Sequence, residues 1–188
     1  MLQKFSFEKT EIKGVLLIKP FVAYDERGYF LKDYSAEVFR ENGIEHELKE
    51  VFYTKSYKGV IRAIHFQREK QQAKLVRCVM GRVYDICVDL RKDSKTFGRW
   101  VGYELSEENK NQLLIPEGCG HGYLVLENSI VSYKCDEKFY GEYDDGIIWS
   151  DKDINITWPL SEVEELIISD KDKKLQTFST FITRYGGF

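Results

Sequence analysis

The segment Lys74-Leu-Val-Arg-Cys-Val-Met-Gly-Arg-Val-Tyr-Asp-Ile-Cys-Val-Asp-Leu-Arg91 decides how this chain is read. Apolar and β-branched residues alternate there with Arg77, Asp85 and Asp89, the period of two that belongs to strands. Met80-Gly81 interrupts the pattern, so two strands turned at that point are predicted. Working outward, Val60 to Gln67, Trp100 to Leu105 and Gln112 to Ile115 read as further strands. So does Tyr123 to Lys134, with a turn near Glu127-Asn128, and so does Val15 to Ile18, which Pro20 stops. Strands at roughly eight-to-twelve-residue spacing with glycine-rich turns indicate an all-β sandwich or barrel. One helix is expected where Ser35 can cap Glu37, Val38, Phe39 and Glu41, and Gly43 can end it. A short helix is expected near Glu162 to Leu166.

Composition narrows the function classes. The 188 residues are 43% hydrophobic and 31% charged, with three prolines and a formal net charge of −3, which suits a packed core and argues against a nucleic-acid partner. Aromatics reach 14%, a surplus suited to sheets and ligand pockets. There is no 18-residue apolar run and no signal-peptide pattern, so no membrane partner and a cytoplasmic location are expected. Cys78, Cys87, Cys119 and Cys135 have no CxxC spacing and read as buried free thiols, with Cys119 as a candidate pocket wall. No repeat or linker divides the chain, so one domain over 1–188 is expected, its segment from about 160 to 188 packing on the barrel.

Two of the three histidines stand beside turn signals. His65 closes Gly59-Val-Ile-Arg-Ala-Ile-His65, and His121 closes Pro116-Glu-Gly-Cys-Gly-His121. A glycine, five residues and a histidine, followed later by Pro-x-Gly-x-x-His, resembles the two signature segments of the cupin jelly roll. That resemblance implies a mainly β, jelly-roll barrel or sandwich with a few short peripheral helices. In metal-binding cupins the first segment carries a second histidine and a carboxylate. Here those positions are Gln67 and Lys74, and an ammonium repels a divalent cation, so no metal site is expected.

The resemblance then narrows. Asp25-Glu-Arg-Gly-Tyr-Phe30, Ile64-His-Phe-Gln67, Ala73-Lys-Leu-Val-Arg77, Val88-Asp-Leu-Arg91, Thr96-Phe-Gly98, Ile115-Pro-Glu-Gly118, Tyr133-Lys-Cys135, Trp158-Pro159 and Ser169-Asp-Lys-Asp172 occur in this order. Together they resemble the dTDP-4-dehydrorhamnose 3,5-epimerase family from about Phe5 to Asp172. The resemblance implies a nucleotide-diphosphate sugar as partner, with a C4 ketone that acidifies the protons on C3 and C5. It also implies His65 as the base, Asp172 as the carboxylate that orients it, and Tyr133 as the acid. Lys74 is implied to stabilise the enolate, and no cofactor is used. Arg27, Arg62, His121 and Lys171 match positions that hold the diphosphate, sugar or nucleotide.

The departures from the family cluster where it reads the nucleotide. Lys32 replaces a glutamate, Glu50-Val51-Phe52 replaces Gln-x-Asn, Phe139 replaces a stacking tyrosine and Asp144 replaces a glutamate. Cys119-Gly120 replaces Phe-Ala, a roomier wall. A carboxylate at Glu50 could accept twice from guanine, which thymine cannot offer. Alongside the dTDP-sugar reading stand a GDP-linked 4-keto sugar such as a heptose inverted at one or two centres, a sugar 3,4-ketoisomerase, and a catalytically silent sugar-nucleotide-binding cupin. A homodimer is expected, with Val15 to Ile18 as an exchangeable edge.

Overall fold

The computed structural model describes residues 4–188. Its strands are β1 (Ser6–Lys9), β2 (Leu16–Lys19), β3 (Phe21–Asp25), β4 (Gly28–Lys32), β5 (Glu50–Ser56), β6 (Val60–Gln67), β7 (Lys74–Asp89), β8 (Trp100–Ser106), β9 (Gln112–Ile115), β10 (Cys119–Cys135), β11 (Asp144–Gly146) and β12 (Ile167–Ile168). The helices are α1 (Ala36–Glu41) and α2 (Phe178–Tyr185), with single 3-10 turns at Leu160–Glu162 and Asp172–Lys174.

The architecture follows from two long strands. β7 and β10 run antiparallel along their whole length, from Lys74↔Cys135 to Asp89↔Cys119. The first part of β7 pairs with β9 and its second part with β8. β10 pairs first with β6 and then, past its middle, with β5. Each long strand therefore serves two sheets, β1-β2-β9-β7-β10-β5 and β8-β7-β10-β6-β11, and this is the expected mainly β, jelly-roll sandwich of the cupin type.

The bend is made where the sequence reading expected chain reversal. Gly81 has φ +74, and a Cβ there would lie 2.2 Å from the Asn128 carbonyl oxygen. Opposite it the register shifts between Val125 and Val131. Met80-Gly81 and Glu127-Asn128 are thus facing bends in continuous strands, and neither is a hairpin turn.

Alternation along the bent strands fills three apolar layers. Val76 and Cys87 face the space between the sheets with Val83, Leu113, Tyr123 and Tyr133. Leu75 faces outward onto Ile18, Leu114 and Phe39, the residue through which α1 covers the first sheet. Ile86 and Val88 face outward onto Trp158, Phe178 and Phe181, through which the C-terminal segment covers the second. Away from its bend β7 is buried on both faces, and its charged residues Lys74, Arg77, Asp85 and Asp89 are buried with it.

Helix α1 forms where expected, after Ser35 and before Gly43 at φ +74. The helix expected near Glu162–Leu166 is instead the 3-10 turn ending at Glu162 followed by β12. Helix α2 went unread in the sequence. Thr177 caps it by accepting from the Thr180 amide, and Gly186 ends it in the left-handed conformation. Strand β2 lies between β1 and β9, so within this chain Val15–Ile18 is an inner strand and not the exchangeable edge expected of it.

Candidate active site

A cavity of about 550 Å³ opens between the two sheets. His65, Lys74, His121, Tyr133 and Asp172 all line it, as do Arg62, Phe139, Asp144 and Lys171. Nine of the twelve residues named from the sequence therefore converge, although they come from β6, β7, β10 and the C-terminal third of the chain.

Backbone pairing explains the convergence. His65 stands directly across from His121 on the β6–β10 ladder. Strand β12 lies parallel to the start of β6, pairing Ile167 with Val60 and Ile168 with Ile61, and so delivers Ser169 to Asp172 beside His65. Gly59 permits that approach, because a Cβ on it would sit 2.1 Å from the Glu165 carbonyl oxygen. The His65 Nε2 then reaches Asp172 Oδ2 at 3.2 Å, and the Asp172 amide donates to Ser169 Oγ at 3.0 Å. Burial works to raise the Asp172 carboxyl. The His65 ring, the Ser169 hydroxyl and the Ala63 amide outweigh it and hold the group below its usual value.

A second imidazole–carboxylate pair lies deeper. His121 Nε2 is 2.9 Å from Asp85 Oδ2, and Asp85 is wholly buried. Burial pushes the Asp85 carboxyl up, against the opposing pull of His121 and Lys74. Lys74 is 9% exposed, and burial pushes its ammonium below the usual lysine value while the Cys135 thiol and Asp144 favour its charge. Tyr133 is 6% exposed and stacks on Phe52 at 4.6 Å, with its ring edge-on to His121 at 5.7 Å. Burial raises the Tyr133 hydroxyl well above the usual phenol value, so it stays protonated over the physiological range.

The mouth of the cavity carries mixed charge. Arg62 Nε donates to Ser56 Oγ at 3.1 Å, and Lys171 forms an ion pair with Asp144. Phe139 is 56% exposed at the rim, held by its amide donating to Glu50 Oε2 at 3.0 Å. Gln67 is spent on the same loop: its amide nitrogen donates to the Lys70 and Lys138 carbonyls and its oxygen accepts from the Tyr140 amide.

Arg27, Lys32 and Glu50 do not line the cavity. Arg27 and Lys32 belong to the β3–β4 hairpin, a two-stranded sheet separate from the sandwich. Arg27 is 82% exposed and pairs with Asp25. Cys119 is also absent from the cavity wall; all four cysteines are buried and free. Sequence reasoning missed Asp85 and Tyr123 as site residues. The signal for Asp85 was a charge inside the run Val83 to Val88, where a solvent face is absent.

The sequence profile of the dTDP-4-dehydrorhamnose 3,5-epimerase family matches residues 9–180. A dTDP-4-dehydrorhamnose 3,5-epimerase of Methanothermobacter thermautotrophicus is 49% identical over 173 residues, covering 92% of this chain and 94% of its own. That of Shigella flexneri is 48% identical over 173 residues, covering 90% and 94%. The crystal structure of the Legionella pneumophila dTDP-6-deoxy-D-glucose-3,5-epimerase, in complex with dTDP-4-keto-L-rhamnose, superposes with a TM-score of 0.92 at 35% identity, covering 96% of each chain. Matches of this extent, on a cavity that gathers the motif residues of five separate segments, decide the question of kinship. This chain belongs to the dTDP-4-dehydrorhamnose 3,5-epimerase family.

Proposed function

We propose that this enzyme inverts C3 and C5 of dTDP-4-dehydro-6-deoxyglucose by acid–base proton transfer through an enolate. The observation that carries the reading is the His65–Asp172 pair in one cavity with the buried Tyr133 and Lys74. The bond to Asp172 occupies His65 Nε2 and leaves Nδ1 to take the carbon-bound proton; Asp172 then supports the imidazolium. Lys74, with His121 beside it, meets the oxygen on which enolate charge develops, in a site with little water to screen it. Tyr133 gives its hydroxyl proton to the carbon and completes the inversion. His121 stands between base and acid, paired with the former in register and edge-on to the latter.

Arg62 and Lys171 supply the cationic rim for the diphosphate, and Phe139 an aromatic face for the base, with Asp144 setting the position of Lys171. The guanosine alternative rested on Glu50, whose Oε2 is engaged by the Phe139 amide and which lies off the cavity wall. Thymidine therefore stands as the base. Gln67 spends its amide on loop backbone and Lys74 brings a positive charge, a residue set for an enolate and not for a divalent ion, so the reaction runs without metal or cofactor.

The single domain works in the cytoplasm as a homodimer. Tyr24, Tyr29 and Phe30 of the β3–β4 hairpin are 69%, 51% and 56% exposed, and Val51 and Tyr53 on β5 are 50% and 63% exposed. Apolar surface on that scale suits burial against a second copy, which would carry Arg27 and Lys32 to the partner's cavity.

Deuterium uptake from heavy water into dTDP-, GDP- and CDP-linked 4-keto sugars tests the whole reading. Label at C3 and C5 of the dTDP sugar, with inversion and undiminished by EDTA, is the expected result. Preference for GDP or CDP, exchange at one carbon alone, or EDTA loss restored by one divalent ion would each overturn its part.

A further inference from the structure

The cavity holds a polar group that this mechanism leaves idle, the hydroxyl of Tyr123. Tyr123 is 1% exposed, lines the cavity, and has its oxygen 2.8 Å from Thr54 Oγ1. Its ring and that of Tyr133 flank His121 at 6.1 and 5.7 Å. On the β5–β10 ladder Thr54 stands across from Val131 and Phe52 across from Tyr133, so Thr54 is the diagonal neighbour of Tyr133 on the same face. Thr54 is half-buried in β5, which among the described residues pairs with β10 alone and so forms an edge of its sheet. A row of hydroxyls thus runs from the acid to the margin of the sheet.

Double inversion with one acid demands such a row. Each inversion breaks a C–H bond, with the proton going to His65, and breaks the Tyr133 O–H bond to form the new C–H bond. The enzyme is left as imidazolium and tyrosinate. Tyr133 is 6% exposed, so the tyrosinate has little direct solvent to recharge it. A tyrosinate in an apolar wall is also costly to keep. The second carbon cannot be inverted until that proton is replaced.

We propose that Tyr123 and Thr54 form the relay that reprotonates Tyr133 between the two inversions. The Tyr123 hydroxyl proton moves to the Tyr133 oxygen, the Thr54 hydroxyl proton moves to Tyr123, and solvent at β5 recharges Thr54. His65 returns its proton to solvent through the cavity mouth, so no net charge or proton is lost over the cycle. This relay rests on Tyr133 being the acid.

Tyr123→Phe keeps the ring and deletes the hydroxyl; Thr54→Val deletes the next one, and Thr54→Ser keeps it. In Tyr123→Phe the kcat should fall about tenfold, short of the ~10²–10⁴-fold for a direct proton donor. Its KM should hold, its kcat should show a larger solvent isotope effect, and product inverted at a single carbon should accumulate. Thr54→Val should follow in the same direction, with Thr54→Ser near wild type. Full double inversion at the wild-type rate in Tyr123→Phe would overturn the relay while leaving the acid in place. Full double inversion in Tyr133→Phe would remove the acid reading and the relay with it.

Discussion

The cavity wall and the β3–β4 hairpin carry equally distinctive sequence motifs but stand differently in the folded chain. On the wall, His65 and His121 are locked opposite each other by a ladder of backbone bonds, and Asp172 is brought alongside by β12. The hairpin makes only its own small sheet, exposes three aromatics and leaves Arg27 bonded to its neighbour Asp25. The contrast teaches that one chain by itself gathers the residues of the proposed proton chemistry, whereas Arg27 and the exposed aromatics of the hairpin stand apart from them. Burial distinguishes the two: the wall is finished by its own core, and the hairpin is not.

The largest effect should come from the wall. His65→Ala removes the proposed base, so exchange at both carbons should drop by at least ~10²–10⁴-fold, read as deuterium incorporation by NMR. Exchange surviving at one carbon would show a second base and break the single-site picture.

On the hairpin, Arg27→Ala should raise KM about 10- to 100-fold, the cost of a lost bond to a charged group, with kcat held within a few-fold. Mixing Arg27→Ala chains with His65→Ala chains should regain activity, because the proposed dimer, when mixed, would contain one cavity with an intact wall facing an intact hairpin. Failure to complement would place Arg27 in its own chain's site or in none.

Between the two regions sits Glu50, at the start of β5 and bonded to the Phe139 amide. Glu50→Ala should raise KM only a few-fold, as one neutral-donor bond contributes about 1 kcal/mol. Glu50→Gln keeps an acceptor oxygen and should leave both KM and the preference for dTDP unchanged. A shift of preference from GDP towards dTDP in that variant would return Glu50 to base reading.

The smallest effect lies outside both regions and serves as the control. Asp89 ends β7, where burial would raise its carboxyl; Arg91, Ser94 and Thr96 outweigh it and hold the group at about 2. Because the folded value lies below the ordinary 3.8, its contribution to stability is full above that pH and lost as pH falls towards about 2. Asp89→Asn should flatten this acid limb of a Tm-against-pH curve while leaving kcat at neutral pH unchanged.

Legibility followed the range of the interaction. His65, Lys74, Tyr133 and Asp172 could be found because each sits in a motif whose local pattern survives in the sequence. The bend at Gly81 was misread because a glycine at positive φ serves a turn or a bend equally well; only its close approach to the Asn128 carbonyl, 47 positions away by number, separates them. Helix α2 was obscured by Ser179, Thr180, Thr183 and Arg184, although Phe178 and Phe181 mark its buried face and Thr177 its cap. Asp85 and Tyr123 take their meaning from partners on other strands, His121 and Thr54, which no local window contains. Whether Arg27 acts on its own or a second chain's cavity has no sequence signal at all.

The central claim is a division of labour, with His65 removing the proton and Tyr133 returning one. It is tested most directly by following a 4-keto dTDP sugar with Tyr133→Phe in heavy water, reading label and configuration at C3 and C5 together. The account predicts deuterium in recovered, uninverted sugar, since the enolate still forms and His65 can reprotonate it from the face it attacked. Inversion at the wild-type rate, or loss of exchange and inversion alike, would contradict it.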